Sequence, residues 1–531
     1  MHPQATTRRN FMAGSALAAA FLAVPLSTAR ASDGGTLKIV YPSLWNEALD
    51  PIVASGSSSS GLAAIYDDLV GAQPDGSGFS KETGVAEDWS MSPDGREWIL
   101  KIRRGIQFHR GFGELTAEDV KFSLERLTSE RAVTQYKAFF TKSVSRVEVV
   151  DPYTVRVVGA EPIPNFLATV SALQGSPERF MVSKKGYEAL GEAGFLRTPV
   201  GSGPYEVVEL VGGQSLQMKA VANHWRIGRP AFQSLWFLAV PEEETSIAML
   251  RRGDVDLIPV SRQNVRRLEG DGVPIVVQKG ASAINFFLED QYAPGVAVGD
   301  ARVREALNLA IDRQGLVNGL FEGLGQPVGT YYTHTTVLEQ IGYDWKSDLY
   351  PYDPARARKL LAEAGHPNGF ALDVFVYAWT GVPESADTTQ AVAGMWSDIG
   401  VKVNLIPTEY AVVRSKMLRG EIPGTSGLFP APVRPWQGTL SSYRTFMHSG
   451  GAFSHVRVPE LDAHLDAAAG AVDPARAQAA LKDSMRFIRA NHLAVPVLEF
   501  DITYGVSKRI AGWDPGFLPF NFNFDSLFRQ R

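Results

Sequence analysis

Residues 371–379 read ALDVFVYAW and residues 401–407 read VKVNLIP, and a longer amphipathic stretch separates the two runs. Both runs are rich in β-branched and aromatic residues, which favours strands. Between them Met395, Trp396 and Ile399 recur at the spacing of one helix face. A strand, helix, strand order predicts two parallel strands joined by a right-handed crossover. This part of the chain therefore predicts an α/β fold.

The carboxyl end of the first predicted strand is a candidate ligand site. Ligands of open α/β sheets bind beyond the carboxyl ends of the strands, and Tyr377 and Trp379 stand at this end. Large aromatic side chains also pack into cores, so core packing is an equally good interpretation of each residue.

Other elements are predicted from alternation and capping. Residues 36–41 alternate as a strand, and a turn at 93–95 joins two strands of a hairpin. Thr116, Asp300 and Asp353 each precede an amphipathic run, which is the position of a helix N-cap.

Composition narrows the class of protein. The 531 residues are 45% hydrophobic and 21% charged, with a net charge of −5 and no long run of one sign, so neither nucleic acid nor an anionic membrane surface is a predicted partner. The absence of cysteine excludes disulfides, thiol catalysis and cysteine metal ligands.

The first 31 residues have the pattern of an export signal. Arg8 and Arg9 precede the apolar run 14–26, and a small-x-small site ends at Ala31, where we expect cleavage. The run is shorter than the roughly 20 residues that span a bilayer. The paired arginines resemble a twin-arginine signal, and the Sec route stays an alternative.

Local catalytic and metal-binding motifs are missing from the sequence. No G-x-S-x-G string occurs, and the nine histidines form no H-x-x-x-H pair. Asp67 and Asp68 are adjacent, and adjacent helical side chains point apart, so a solvated helix start is expected there instead of an acid–base pair. We predict no catalytic residue, no metal ligand and no cofactor.

Separated motifs along the mature chain carry a family resemblance. They are AEDWSMSPDG at 86–95, TAEDVKFSLER at 116–126, PVGSGPY at 199–205, RGDVD at 252–256, VREALN at 303–308 and LLAEAG at 360–365. In order and spacing they resemble the peptide/nickel-type extracytoplasmic solute-binding proteins of ABC importers, family 5.

The resemblance implies a bilobal α/β periplasmic-binding-protein fold of type II in its large three-subdomain form. Lobe I would comprise residues 32–282 and 495–531, with an inserted subdomain at about 70–195. Lobe II would comprise residues 283–494.

Two strands would cross between the lobes. The apolar runs AINFFLE at 283–289 and AVPVLEF at 494–500 are the segments we assign to these crossings, because strands covered on both faces are apolar throughout.

By the same resemblance, the protein would be a monomeric periplasmic receptor and not an enzyme. It would close on a peptide or peptide-like ligand and deliver it to a membrane permease with a cytoplasmic ATPase. Two alternatives are a secreted peptide hydrolase and a solute-sensing or chaperone subunit without transport.

The segment FPAPVRPWQG at 429–438 bears on the ligand. In dipeptide- and oligopeptide-binding members of the family this segment carries an aspartate that pairs with the ligand's α-amino group. Here Arg434 stands in that neighbourhood, and no acidic residue lies between Glu421 and Glu460. A guanidinium in a water-poor cleft prefers a carboxylate or phosphate, so the resemblance combined with this departure favours an acidic ligand.

The predicted ligand-binding residues are therefore mostly aromatic, with one cation: Trp45, Tyr377, Trp379, Phe429, Arg434, Trp436 and Tyr504. The competing interpretation places Arg434 in solvent on a proline-stiffened surface loop and the aromatic residues in the core. A peptide, a glutathione-like or opine-like acid and a metal chelate all stay open as ligands.

Overall fold

The structure is a computed structural model. It describes residues 35–44, 48–54, 58–134, 136–377, 379, 382, 384–517 and 524–528. The predicted export signal and Trp45 lie outside these residues.

Strands and helices alternate along the chain. The strands are β1 Thr36–Tyr41, β2 Gly71–Ala72, β3 Phe79–Ser80, β4 Ala86–Met91, β5 Glu97–Ile102, β6 Val144–Asp151, β7 Thr154–Gly159, β8 Tyr205–Val211, β9 Ser215–Ala220, β10 Ser234–Ala239, β11 Leu257–Val260, β12 Ile275–Leu288, β13 Gly325–Pro327, β14 Ala371–Val376, β15 Lys402–Pro407, β16 Ser426–Pro432 and β17 Val495–Val506. The helices are α1 Ser59–Ile65, α2 Ala117–Arg126, α3 Lys137–Ser143, α4 Phe166–Thr169, α5 Lys184–Arg197, α6 Glu243–Arg252, α7 Arg262–Gly270, α8 Ala301–Leu309, α9 Arg313–Gly319, α10 Thr335–Gln340, α11 Pro354–Glu363, α12 Ser385–Asp398, α13 Tyr410–Arg419, α14 Trp436–Phe446, α15 Pro459–Gly470, α16 Pro474–Ala490 and α17 Phe524–Phe528.

One large mixed sheet organises the molecule. Its strand order is β15-β14-β16-β12-β17-β11-β1-β10-β9-β8, with β13 paired to β17 outside this path. The long antiparallel strands β12 and β17 stand in the middle. We call β11, β1, β10, β9 and β8 the first wing and β16, β14 and β15 the second wing.

The predicted strand, helix, strand unit is confirmed. β14 and β15 are parallel and pair in register from Ala371 with Lys402 to Val376 with Pro407, and α12 connects them. Trp396 on α12 is fully buried and donates its indole N–H to the carbonyl of Leu307 at 2.9 Å. The apolar face that the sequence predicted therefore anchors this helix to the core.

The two predicted crossing segments lie within the two middle strands. Residues 283–288 belong to β12 and 495–500 to β17, and nearly all of these side chains are buried. The β12–β17 register shifts between Gln278 and Ser282, where Gly280 has a φ of 55° and donates its N–H to Asp501 at 2.9 Å. Glycine adopts this left-handed conformation without steric cost, so Gly280 accommodates the irregularity in the pairing of the two middle strands.

A separate antiparallel sheet of order β4-β5-β7-β6 lies in the range of the predicted inserted subdomain. The predicted hairpin is its β4–β5 pair. Helix α2 starts at Ala117 after the predicted N-cap Thr116, which forms a capping box with Asp119. The lobe limits themselves stay a prediction.

The interpretation of Asp67 and Asp68 as a solvated helix start is wrong. Asp67 is buried after the end of α1 and accepts hydrogen bonds from the Ser202 hydroxyl at 2.8 Å and the Trp225 indole at 2.9 Å. Asp68 forms an ion pair with the fully buried Arg179. Partners more than 100 residues away compensate these carboxylates, and local sequence contains no sign of them.

Within the described residues, no helix combines the length and the apolar character required to cross a bilayer.

Candidate functional site

The segment 429–438 is more ordered than a surface loop. Its first four residues end strand β16, and Trp436 begins helix α14. Only residues 433–435 connect the two elements. Arg434 therefore stands on a short, proline-flanked turn between a central strand and a helix, where its backbone position is well defined.

Six aromatic side chains form one cluster around Phe429, which we call the aromatic cluster: Tyr332, Tyr377, Trp379, Tyr410, Phe429 and Phe446. Trp379 and Tyr410 are the nearest pair, with ring centroids 4.3 Å apart. Phe429 lies 5.5 Å from Trp379, 5.8 Å from Tyr410, 5.8 Å from Tyr332 and 5.1 Å from Phe446. Tyr377 completes the cluster by contacts with Tyr410 and Trp379. Three of the predicted site residues are thus brought together.

A buried pair of histidine and glutamate side chains lies next to the cluster. His455 stacks on Phe446 at 5.6 Å and on Phe287 at 5.7 Å, and its Nδ1 lies 2.7 Å from Glu289 Oε2. Both members of the pair are buried. The His455 ring therefore packs against the Phe446 ring of the aromatic cluster and is itself held by Glu289.

Arg434 reaches across to the segment of the predicted inserted subdomain. Its Nη1 lies 3.5 Å from Gln174 Oε1, which also accepts a hydrogen bond from the Tyr136 hydroxyl at 3.0 Å. Gly438 lies beneath this contact, and a Cβ there would fall 2.8 Å from Arg434 and 3.3 Å from Gln174. Helix α14 can approach Gln174 so closely because residue 438 has no side chain.

Two nitrogen donors here lack partners among the described residues. The indole Nε1 of Trp379 and the Nε of Arg434 are both shielded from water without a hydrogen bond. A buried donor without a partner costs about 1–3 kcal/mol, and such groups are rare. Their natural complement is an oxygen acceptor supplied by a ligand.

The electrostatics link Arg434 to the cluster. Burial raises the pKa of Tyr332 to about 12, and the nearby Arg434 cation opposes this rise. Burial likewise raises the pKa of Tyr410 and of Tyr377. The Arg414 cation opposes the rise at Tyr410. The aromatic cluster is therefore uncharged at neutral pH, with Arg434 beside Tyr332 and Arg414 beside Tyr410.

Tyr332, Tyr410 and Gln174 are site residues that sequence reasoning missed. The structure itself marks Tyr332, because its φ of 52° is in the left-handed region, which is a strained conformation for a bulky residue. Strained backbone conformations of this kind are concentrated at binding sites. Neither Tyr410 nor Gln174 stands in a motif that would have indicated a site.

The remaining predicted residues are placed elsewhere. Trp436 is partly buried and packs against a hydrophobic core that Phe429 also contacts. Tyr504 is buried in β17, where its hydroxyl donates to Gln278 at 3.3 Å and its ring contacts Trp513. The structure records no ring contact between Tyr504 and the aromatic cluster in the described part of the chain. In that part, no group of three or more histidine or acidic side chains is arranged to hold a metal ion.

Comparisons with known proteins agree with this architecture. Residues 82–445, more than half of the chain, match the family described as "Bacterial extracellular solute-binding proteins, family 5 Middle". The chain is 29% identical over 371 residues to heme-binding protein A of Haemophilus influenzae, covering 66% of this chain and 65% of that protein. It is 31% identical over 333 residues to glutathione-binding protein GsiB of Salmonella choleraesuis, covering 61% of this chain and 60% of that protein. Both matches span less than two thirds of the relatives' length.

A solved structure extends the similarity over most of the chain. MoaA from A. tumefaciens R10, in complex with mannopinic acid, has a TM-score of 0.71 and 26% identity, covering 90% of this chain and 94% of that chain. The two-winged sheet with its separate antiparallel sheet is the bilobal α/β fold of periplasmic binding proteins. The chain belongs to the bacterial extracellular solute-binding proteins of family 5.

Proposed function

We propose that this protein is the periplasmic substrate-binding component of an ABC import system and that it captures an acidic, peptide-like solute. The observation that carries the proposal is Arg434. Its side chain lies between α14 and Gln174, beside an uncharged aromatic cluster, and its Nε has no partner among the described residues. A carboxylate satisfies a desolvated guanidinium better than any neutral group does.

Binding requires no covalent chemistry. The ligand would contact the aromatic cluster on one side and the Gln174 segment on the other, so its affinity is higher for the closed form than for the open form. That difference in affinity populates the closed form. A membrane permease and its ATPase would then take up the ligand from the closed complex.

The relatives support this class of ligand. Heme-binding protein A and glutathione-binding protein GsiB name heme and glutathione, and the MoaA structure holds mannopinic acid. All three of these molecules carry carboxylate groups. The absence of an acidic residue between Glu421 and Glu460 fits an acid better than the free amine of a dipeptide.

Native mass spectrometry of freshly purified protein tests the proposal, because a closed binding protein retains its ligand during purification. We expect a retained small acid, and titration calorimetry of the ligand-depleted protein with glutathione, mannopinic acid and heme should identify the matching class. A neutral or basic retained molecule, or an empty protein that binds none of the three acids, would overturn it.

A further inference from the structure

Asn285 is a polar residue in the middle of an apolar strand. It stands between Ile284 and Phe286 in β12, and all three side chains are fully buried. β12 is flanked by β16 and β17, so Asn285 lies opposite Phe429 on one side and Pro496 on the other. A buried amide in such a position is costly unless both of its halves form hydrogen bonds.

Only one half of the amide is bonded. Asn285 Oδ1 accepts the N–H of Tyr332 at 3.2 Å, which holds the backbone of this strained residue. That bond fixes the orientation of the amide, because a nitrogen in the place of Oδ1 could not accept it. The Nδ2 group is therefore a donor, and it has no partner in the part of the chain that the structure describes.

The free donor is on the face of the sheet that carries the aromatic cluster. Directly paired residues of antiparallel strands project to the same face, so Asn285 and Phe429 share a face. The main chain of Tyr332, another member of the cluster, contacts Asn285 Oδ1. The unpartnered indole of Trp379 lies beside the same Phe429 ring.

We propose that Asn285 is a ligand-binding residue whose Nδ2 donates a hydrogen bond to an oxygen of the bound acid. This inference rests on the proposed function and deepens it by naming a second recognition point. The ligand would then present one acid group to Arg434 and a second oxygen acceptor to Asn285.

An Asn285→Asp variant tests this role. It retains the acceptor for Tyr332, and a protonated carboxyl can donate as the amide does, whereas an ionised carboxylate cannot and also repels an acid. We expect affinity for the best-binding acid among glutathione, mannopinic acid and heme to fall at least tenfold between pH 5.5 and pH 8.5 in N285D, with little change in the wild-type protein.

Asn308→Asp is the matched control. Asn308 is equally buried, but its Nδ2 donates to the carbonyls of Arg304 and Ala494 and its Oδ1 accepts from Arg313. We expect N308D to lower the melting temperature without a pH-dependent loss of affinity. A crystal structure of the wild-type protein with the bound acid supplies a measurement that does not require a variant to fold, and we expect Nδ2 within hydrogen-bond distance of a ligand oxygen.

The outcomes separate the two proposals. If N285D binds like the wild-type protein at every pH while Arg434→Ala loses binding, Asn285 has only its structural role and the proposed function stands. A water molecule on Nδ2 in the liganded crystal structure would also overturn the inference alone. If the wild-type protein binds none of the three acids, the proposed function itself is wrong, and the role of Asn285 that rests on it is wrong as well.

Discussion

Arg262 and Glu384 form an ion pair between the two wings of the sheet. Arg262 Nη1 lies 2.5 Å from Glu384 Oε1, and the two side chains are 4% and 14% exposed. Arg262 begins α7, which follows β11 of the first wing, and Glu384 precedes α12, which follows β14 of the second wing. The pair therefore links an element of the first wing to an element of the second wing.

The Arg262 guanidinium also contacts the middle strand β17. It donates to the carbonyl of Asp501 on β17 at 2.6 Å and lies over the rings of Phe500 and Phe321. Glu384 lies five residues after Trp379 of the aromatic cluster. The ion pair therefore connects middle strand β17 to the segment that leads from the candidate site into α12.

We expect Glu384→Gln to weaken ligand binding about tenfold, mainly through faster dissociation. In an open form, water solvates both ions. In the closed form of E384Q the Arg262 charge stays buried without its carboxylate, so the substitution raises the free energy of the closed form relative to the open form. A tenfold change corresponds to about 1.4 kcal/mol. Stopped-flow kinetics measures the rate of ligand dissociation. Small-angle scattering of the ligand-free protein measures the loss of its closed form.

Glu322→Gln is the control for this prediction. Glu322 pairs with Arg266 of the same helix α7, but the two side chains are 40% and 81% exposed. Exposed pairs contribute little, so its dissociation rate should match the wild-type rate. Equal rates in E384Q and the wild-type protein would show that the buried pair does not bias closure.

Arg434→Ala should weaken binding of an acidic ligand by about 2 kcal/mol or more, because the ligand carboxylate would be desolvated without its partner. The melting temperature of the free protein should change little, since the hydrogen bond that Arg434 makes within the described residues, to Gln174, is long. Arg444→Ala on helix α14, which follows the turn that carries Arg434, is the control, because Arg444 is half-exposed and pairs with the exposed Asp466. Unchanged affinity in R434A would remove this residue from the site.

Asp67→Ala should destabilise the fold by about 3–5 kcal/mol without direct contact with the candidate site. The change leaves the Ser202 hydroxyl, the Trp225 indole and His224 without their shared acceptor. Urea denaturation measures the loss, and Asp75→Ala at an exposed turn is the control. A loss of less than 1 kcal/mol in D67A would show that these donors find other partners.

Local pattern predicted the elements better than the site. The capping box at Thr116 and the β14–α12–β15 unit depend on residues that are near each other in sequence, so periodicity and spacing indicated them. The partners of Arg434 and Arg262 do not: Gln174 is 260 residues from Arg434, and Glu384 is 122 residues from Arg262. Such contacts arise only when distant segments of the chain fold together, and no single window of sequence encodes them.

Acid stability should depend on His492, whose pKa burial lowers to about 4, with further lowering by Arg489 and Arg304. The Tyr350 hydroxyl lies within hydrogen-bond distance of its Nδ1, at 2.9 Å. An unfolded histidine has a pKa of about 6.5, so below that pH the unfolded chain binds a proton that the folded protein does not. Stability is therefore unaffected by His492 above about pH 6.5 and falls as the pH drops towards 4.

His492→Asn removes this titration and suits the backbone, because the φ of 52° at residue 492 is one that asparagine tolerates. Between pH 7 and pH 5 the free energy of unfolding should fall by about 2 kcal/mol less in H492N than in the wild-type protein. Both proteins should retain some acid slope, since burial also lowers the pKa of His109 and of His334. Tyr350→Phe keeps the histidine and should keep the wild-type slope, so urea titrations in which H492N and Y350F show equal slopes would contradict the assignment.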